Sequence, residues 1–364
     1  MNLKDSFVRK FDWLLFLPAL LLGAVGLVAI YSTDLAEEGI NFFVNFKKQA
    51  ILLSLGILAV FVISIFNYRQ LRGAKNFLFL FGAALLLGVL IFGEKLRGTT
   101  GWFVAGPVSF QPVEIAKIFL VVFLADYFSR EGRNIFTFAD ILKSLVAVLI
   151  FIVLVLRQPD LGSAIILFAI WLGMLLASRV RKKHILILAI SLIVGCILAW
   201  FFILAAYQKE RIKVFLNPNL DPLGAGYNIK QSVIAIGSGG FLGKGLGFGS
   251  QSQLRFLPEA HTDFIFALIA EEMGFLMVLF ILLLFALFFW RIITLAQNHR
   301  SDFTAYMAIG FLTIFLSETF INIGMNLGLM PVTGLALPFV SLGGSALLSK
   351  FFMVVILESA KMRD

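Results

Sequence analysis

The chain has 364 residues, of which 60% are hydrophobic and only 14% are charged. An ordinary soluble domain has about 25% charged residues, so this chain has too few to cover its surface in water. A mean hydropathy of +0.98 and a single cysteine, Cys196, point the same way. Together they exclude a secreted enzyme, a soluble nucleic-acid-binding domain and a disulfide scaffold. The net charge of +9 is typical of basic residues at the ends of membrane helices. We therefore predict an all-α polytopic membrane protein.

A bilayer core about 30 Å thick needs roughly 20 apolar residues per helix, and this length predicts about ten spans. They cover residues 13–32, 48–66, 76–93, 112–127, 140–157, 161–178, 184–206, 263–290, 302–327 and 336–357. The first span follows three basic residues, as a signal peptide would. Its apolar run is too long for a signal peptide and lacks a small-residue cleavage site, so we interpret it as an uncleaved span.

The positions of Lys and Arg predict the orientation of the spans. These residues are concentrated in both tails and in alternate connections, and they are sparse in the short loops of the other side. Basic loops stay in the cytoplasm, so both termini are predicted to be cytoplasmic. Residues 1–364 are then one integral membrane domain. Residues 207–262 form a large extracytoplasmic loop between the seventh and eighth helices.

A glycine run, Gly237–Gly249, lies in the predicted loop and includes Lys244. It fits neither the Walker pattern nor the dinucleotide-binding pattern, because glycines required at fixed positions are missing. Two interpretations remain open. The run is either a flexible or closely packed backbone segment, or a set of backbone amides that approaches a phosphate together with Lys244.

Charged residues inside the spans are informative, because each is costly in lipid unless it is paired or lies in a wet cavity. Eight residues qualify: Glu114, Lys117, Asp160, Asp263, Glu271, Glu272, Glu318 and Lys350. Glu114 and Lys117 lie on one helical face, where they form either part of a site or an interfacial ion pair. Asp160 and Asp263 each open a predicted helix, so helix capping is the alternative to a functional role. Capping does not explain so many charges near one face, and we predict a wet, charged cavity there.

Metal and cofactor sites have weaker signals. His261 is the only histidine on the predicted outer side, and no cluster of His and Cys exists, so a zinc site is not predicted. Asp160 and Asp263 are candidates to hold Mg²⁺ or Mn²⁺ together with phosphate oxygens. No organic cofactor is predicted. The small residues of Ser341–Ser345 predict close packing between helices.

Five motifs, taken in order, resemble one known family. They are Gln111-Pro-Val-Glu-Ile-Ala-Lys117, Gln158-Pro-Asp-Leu-Gly-Ser163, Gly224-Ala-Gly-Tyr-Asn-Ile-Lys-Gln-Ser232, Phe256-Leu-Pro-Glu-Ala-His-Thr-Asp-Phe-Ile265 and Gly328-Leu-Met-Pro-Val-Thr-Gly334. Over nearly the whole chain, the sequence resembles the SEDS family (shape, elongation, division and sporulation). Within that family it is more similar to the elongation branch, of RodA type, than to the division branch, of FtsW type.

The resemblance implies a peptidoglycan glycosyltransferase that polymerises lipid II outside the cytoplasmic membrane. Its implied partners are a class B penicillin-binding protein and other membrane proteins of the elongation complex. The essential acid of the family falls on Asp263, which would act as the general base. The supporting charged positions fall on Glu114, Lys117 and Asp160, all numbered in this sequence.

Developing charge on the leaving pyrophosphate requires cations or a metal. The candidates are Lys117, Lys244, Arg255 or a bound divalent ion, and His261 is a further supporting candidate. The family commonly has Arg before Trp102, where this chain has Gly101, so the pyrophosphate contact on that loop is left open.

Two alternatives come from other functional classes. A transporter that flips lipid II would share the buried charges and the cavity, and a non-catalytic scaffold would need neither reaction. The sequence shows no inverted repeat and no matching pair of broken helices, which transporters often have. The acids also cluster at one face instead of at the midplane, which favours the glycosyltransferase.

Overall fold

A computed structural model of the chain describes residues 10–35, 43–64, 67–96, 99–106, 108–131, 137–178, 180–202, 206–222, 224–254 and 256–363. Most of these residues are helical. In chain order the helices are α1 (Trp13–Leu35), α2 (Val44–Ile63), α3 (Arg69–Phe92), α4 (Pro112–Glu131), α5 (Phe138–Arg157), α6 (Leu161–Leu176), α7 (Lys182–Phe202), α8 (Ala206–Leu216), α9 (Ala225–Ser238), α10 (Ser250–Gln253), α11 (Ile265–Asn298), α12 (Asp302–Asn326) and α13 (Gly344–Lys361).

A helix lies over each predicted span, and the ends differ most at the third, the eighth and the tenth, where α3 begins at Arg69, α11 continues to Asn298 and α13 begins at Gly344. Helix α3 begins several residues early, because its basic first turns are paired: Arg72 Nε lies 2.8 Å from Asp126 Oδ1 of α4. Helix α13 begins late, at Gly344, because Pro331 and Pro338 keep residues 331–343 irregular. Among the described residues, six helices are long and apolar enough to cross a membrane: α1, α2, α3, α5, α11 and α12.

A small sheet corrects the all-α prediction. Strands β1 (Glu94–Leu96), β2 (Thr99–Ala105) and β3 (Val108–Phe110) lie between α3 and α4 and pair antiparallel in that order. Trp102 lies opposite Glu94 in the first pair of strands. Strands β1 and β3 have only three residues each, and β2, with the sequence Thr-Thr-Gly-Trp-Phe-Val-Ala, does not alternate polar and apolar residues, so the sequence did not reveal the sheet.

The helices have an apolar outer surface and charged residues inside. Phe77 is 68% exposed and Phe92 77%, whereas Lys117, Glu271 and Glu318 are buried. This distribution is the reverse of that in soluble proteins. It is the one expected where lipid contacts the outer surface, and it identifies the described helices as those of a multi-pass membrane protein. Helix α12 packs against α4, α6 and α11 in the middle of the bundle.

The glycine run packs on α11 at a break in that helix. Gly274 has φ 72° and ψ −173°, so the helical hydrogen bonding stops there and resumes afterwards. The N–H groups of Lys244 and Gly245 donate to the carbonyls of Glu271 and Glu272, at 3.0 and 2.9 Å. The run therefore satisfies carbonyl groups that the break would leave without partners.

Hydrogen bonds between the glycine run and α11 also run from α11 to the glycine run. The carbonyls of Gly240 and Phe241 accept hydrogen bonds from the two N–H groups that follow Gly274, at 3.0 and 3.2 Å. The two backbones lie so close that a Cβ added at Gly274 would be 2.2 Å from the Gly243 nitrogen. The structure thus favours the interpretation of the run as a closely packed backbone. We call this pairing of residues 240–245 with 271–276 the glycine clasp.

Candidate active site

A cavity of about 170 Å³ opens between the amino-terminal ends of α4, α6, α11 and α13 and the irregular segment 331–343. Its charged lining residues are Glu114, Asp160, Arg211, Asp263, Glu318 and Lys350. The charged cavity predicted from the sequence is present, and side chains from six separate parts of the chain form it.

Asp263 lies in the turn before α11, and hydrogen bonds from other elements hold this turn. The carbonyl of His261 accepts a hydrogen bond from the Leu342 N–H at 2.9 Å. The carbonyl of Thr262 accepts one from Ser341 Oγ at 2.6 Å. The carbonyl groups of the two residues before Asp263 are therefore both tied to the segment that precedes α13.

Two asparagines one turn apart on α12 hold the carbonyl of Asp263 itself. Asn322 Nδ2 donates to it at 3.1 Å and Asn326 Nδ2 at 3.0 Å. Asn322 also donates to the carbonyl of Leu335 at 2.8 Å, which joins the irregular segment to the same point. Buried amides need partners, and here those partners are the backbone groups that orient Asp263.

The side chain of Asp263 does not cap α11. Phe264 occupies the capping position and makes no side-chain hydrogen bond to the helix. The half-buried Asp263 carboxylate instead lines the cavity, near Gly334, where an added Cβ would lie 3.7 Å from Oδ2. The capping interpretation therefore does not apply to this residue.

Asp160 does cap a helix, and it also lines the cavity. Its Oδ1 accepts the Ser163 N–H at 2.9 Å, and its Oδ2 accepts Ser163 Oγ at 2.7 Å, so it caps α6. Gln111 Nε2 donates to Oδ2 at 3.3 Å. The structural and functional interpretations of Asp160 are compatible, because the cap directs the carboxylate into the cavity wall.

Four buried side chains beside Asp160 form a closed set of ion pairs, which we call the charge ring. Lys117 Nζ lies 2.8 Å from Glu114 Oε1 and 2.6 Å from Glu318 Oε1. Lys350 Nζ lies 2.9 Å from Glu114 Oε2 and 2.9 Å from Glu318 Oε2. Each carboxylate thus contacts both ammonium groups, and the ring is neutral overall.

The charge ring connects α4, α12 and α13 at the wall of the cavity. Glu114, Glu318 and Lys350 line the cavity, whereas Lys117 is fully buried and does not line it. Buried charges are tolerated only when they are paired and hydrogen-bonded. The ring therefore gives each of the two buried lysines two carboxylate partners beside the cavity that contains Asp263.

Comparison with known proteins places this chain in a family. The family model FTSW_RODA_SPOVE, described as a cell cycle protein, matches residues 12–364. The chain belongs to this family. It is the SEDS family that the motifs indicated, so that prediction is confirmed.

Two curated relatives carry names that state an activity. The chain is 40% identical over 300 residues to the peptidoglycan glycosyltransferase MrdB of Escherichia coli, covering 81% of this chain and 80% of MrdB. It is 36% identical over 349 residues to the probable peptidoglycan glycosyltransferase FtsW of Thiomicrospira cyclica, covering 94% of this chain and 89% of that protein. The activity expected from the sequence is the activity these relatives are named for.

Solved structures agree with the fold. A chain of a peptidoglycan synthase complex, studied for its coordination of polymerization and crosslinking, matches with a TM-score of 0.82 at 30% identity. It covers 96% of this chain and 97% of that one. The rod shape determining protein RodA of Thermus thermophilus matches with a TM-score of 0.70 at 28% identity, covering 96% of each chain.

Lys244 of this SEDS chain lies away from the cavity residues. Its Nζ is 2.8 Å from Glu271 Oε1, and the same oxygen accepts the N–H of Gln251 at 2.9 Å. Glu272, the next residue, accepts hydrogen bonds from Ser252 Oγ at 3.1 Å and from Ser32 Oγ. Glu271 and Glu272 were expected near the cavity. They lie instead beneath the glycine clasp, where their carboxylates contact side chains and N–H groups of the loop.

The other predicted supporting residues have different positions. His261 is half-buried and lies two residues before Asp263, where its carbonyl helps to hold the turn. Arg255 lies outside the described residues. The Ser341–Ser345 segment, predicted to pack between helices, is mostly irregular and lines the cavity instead, because α13 starts only at Gly344.

A metal site formed by protein ligands alone does not fit the described residues, which contain no group of three or more His, Cys, Asp or Glu placed to hold an ion. Both oxygens of Asp160 accept hydrogen bonds, from Ser163 and Gln111. A divalent ion would have to take most of its ligands from phosphate oxygens and water, as Mg²⁺ commonly does.

Sequence reasoning left four residues that line the cavity or hold the Asp263 main chain without a role. Glu318 and Lys350 were noticed as charges inside spans, but their partners could not be found from the sequence. Asn322 and Asn326 were not singled out. Their signal was available, since two amides at i and i+4 in an apolar span are neighbours on one face and need polar partners.

Proposed function

We infer that this chain is a peptidoglycan glycosyltransferase that extends glycan strands from lipid II during cell-wall elongation, with Asp263 as its general base. One observation carries the inference. The carboxylate of Asp263 lines a charged cavity, while hydrogen bonds from Asn322, Asn326 and Ser341 hold the main chain around it. A carboxylate that lines a cavity and projects from a firmly held main chain is what proton abstraction requires.

The reaction follows from this arrangement. The Asp263 carboxylate takes the proton of the acceptor sugar's 4-hydroxyl as that oxygen bonds to the anomeric carbon of the donor. The bond from this carbon to the pyrophosphate breaks, and its electron pair leaves with the lipid pyrophosphate. Lys117 and Lys350 are paired with Glu114 and Glu318 in the neutral charge ring, and this ring and Asp160 support the cavity wall.

Replacement of Asp263 tests the proposal directly. We expect purified Asp263→Asn protein to make glycan from lipid II at least about 100-fold more slowly, because the base is lost. The matched control is Asp302→Asn, an exposed carboxylate at the start of α12 that does not line the cavity. Normal polymer from folded Asp263→Asn protein would contradict the assignment. Lipid II translocation in liposomes without polymer would favour the transporter.

The elongation role is supported by the MrdB and RodA relatives, and the division role by the FtsW relative. We assign elongation, in agreement with the motifs. The test is complementation: expression of this chain should restore rod shape to cells depleted of their elongation polymerase. It should not restore septation to cells depleted of their division polymerase. The opposite pattern would assign the chain to division.

The membrane arrangement extends this proposal. We place about ten spans in the cytoplasmic membrane, both termini in the cytoplasm, and the cavity with loop 207–262 on the outer face. The uneven distribution of Lys and Arg supports this orientation. A class B penicillin-binding protein and other elongation-complex proteins are the proposed partners, in keeping with the relative from a peptidoglycan synthase complex.

The divalent cation and the remaining site residues stay predictions. Addition of EDTA should slow glycan synthesis and Mg²⁺ or Mn²⁺ should restore it, if phosphate oxygens complete an ion site near Asp160 and Asp263. Unchanged synthesis in EDTA would remove the ion from the proposal. Lys244, Arg255 and His261 are testable in the same assay by replacement with alanine.

A further inference from the structure

Arg211 is a charged residue of the cavity to which the sequence assigned no role. It lies on α8, within the long segment 207–262, and it lines the same cavity as Asp263. Its side chain is exposed, and Nη1 donates one long hydrogen bond, of 3.4 Å, to the carbonyl of Val332. Arg211 therefore reaches from the loop to the irregular segment at the side of the cavity.

The other cations near the cavity are already held by carboxylates. Lys350 lies between Glu114 and Glu318, and Lys117 is enclosed by the same two acids. Over the described ranges of the chain, Arg211 and Lys350 are the cations that line the cavity, and no carboxylate forms an ion pair with Arg211. Arg211 is thus the lining cation whose charge remains available to a ligand.

The charge of the cavity shows why such a cation is needed. The charge ring is neutral, so Asp160 and Asp263 leave the rest of the wall negative. A pyrophosphate group that entered this cavity would be repelled unless a cation met it. A guanidinium group suits this task, because its planar set of donors matches phosphate oxygens.

Within the described residues of the neighbouring sheet, no cation lines the cavity, and Arg97 between β1 and β2 lies outside those residues. Thr99 and Trp102 of β2 line the cavity. The residue directly before Trp102 is Gly101, which has no side chain. A Cβ added at Gly101 would lie 3.1 Å from Gln158 Oε1, so this part of the strand packs against the turn before α6. Among the described residues, the basic group on this side of the cavity is Arg211 of α8.

We propose that Arg211 binds the pyrophosphate oxygens of the lipid-linked sugar donor, and of the lipid pyrophosphate that leaves when the glycosidic bond forms. The proposal rests on the proposed function, because it names the group that the same cavity recognises. Arg211 contributes no proton to the reaction. It holds the oxygens that receive the electron pair when the bond to the anomeric carbon breaks.

The test measures binding without turnover. The probe is undecaprenyl pyrophosphate, which carries no sugar to transfer, titrated into detergent-purified Asp263→Asn protein. Arg211→Ala in that background should raise the Kd by about ten- to a hundredfold, the range expected for a lost charge-assisted hydrogen bond. The Kd of Arg211→Lys should lie between that of the Asp263→Asn background and that of Arg211→Ala in this background. The matched control is Lys213→Ala, an exposed cation on the same helix that does not line the cavity.

Two further arms identify the source of the phosphate. An equal concentration of phosphatidylglycerol should not displace the probe; displacement would mean that Arg211 binds lipid headgroups in general, and would overturn the proposal. An unchanged Kd in Arg211→Ala, or an equal rise in Lys213→Ala, would also overturn it. Glycan synthesis by the unmodified chain is measured in parallel. Its absence would contradict the proposed function, whereas normal synthesis with an unchanged Kd would contradict only the role of Arg211.

Discussion

The charge ring is the main feature of this protein at the scale of single residues. Lys117 and Lys350 each contact both Glu114 and Glu318 at 2.6–2.9 Å, and all four residues are buried. Taking four charges out of water is costly, and only complete pairing offsets the cost. Loss of any one member is therefore expected to destabilise the protein. The ring also links the three members that line the cavity, Glu114, Glu318 and Lys350, to the fully buried Lys117.

Removal of one acid from the ring should leave two lysines facing Glu114 alone. We expect Glu318→Gln to cost about 3–5 kcal/mol of stability, because a buried charge loses its partner. The measurement is the thermal unfolding temperature of the purified protein in detergent. Adding Lys350→Gln to Glu318→Gln restores neutrality and should recover part of the loss. Strictly additive losses in this double-mutant cycle would show that Glu318 and Lys350 are not coupled.

The glycine clasp is the corresponding feature at the scale of elements. It joins the loop to α11, where the helix breaks at Gly274, and it buries the carboxylates of Glu271 and Glu272 beneath the loop. Gly243 and Gly274 both have positive φ, at 82° and 72°. Both the backbone conformation and the close approach of the two segments require glycine at these positions.

A methyl group added at a clasp glycine should push the glycine run away from α11. A Cβ at Gly243 would lie 2.2 Å from the Glu272 carbonyl oxygen, so we expect Gly243→Ala to lower the unfolding temperature clearly. The control lies in the same run: Gly237 is helical and has nothing within 4 Å of an added Cβ. Gly237→Ala should be neutral or stabilise by up to about 1 kcal/mol. Equal effects of the two replacements would contradict the clasp.

At the scale of the whole molecule, the apolar exterior and the basic residues together predict how the protein lies in the membrane. Leu220, in the segment between α8 and α9, is 61% exposed, and Arg300 is exposed between α11 and α12. The proposed orientation puts these positions on opposite sides of the bilayer. The long segment then covers the cavity from outside, where a lipid-linked sugar would arrive.

Cysteine labelling tests this orientation. In a Cys196→Ser background, a membrane-impermeant maleimide applied to intact cells (spheroplasts where an outer membrane is present) should label Leu220→Cys and should not label Arg300→Cys. Both positions should react after the cells are opened, which controls for accessibility. Labelling of Arg300→Cys in intact cells would reverse the proposed topology and move the cavity to the cytoplasmic side.

Much of the helical fold could be predicted, because the length and hydropathy of an apolar run are local properties. The ends of α3 and α13 could not, since they depend on Asp126 of another helix and on the prolines before Gly344. The sheet was missed because β1 and β3 have three residues each and the seven residues of β2 do not alternate polar and apolar side chains. Asp263 was found from a motif and from its position as a charge at the mouth of a span.

The sequence by itself determined the membrane class, the approximate places of the helices, the family and the candidate acid. All of these depend on local composition or on short motifs. Only the tertiary structure decided which charges meet. Lys117 pairs with Glu318 across 201 positions of the chain and Glu114 with Lys350 across 236, while Glu271 leaves the cavity to hold the clasp. A charged residue in an apolar span can be predicted to need a partner, because an unpaired charge is costly in lipid. Which residue becomes that partner depends on how distant helices pack.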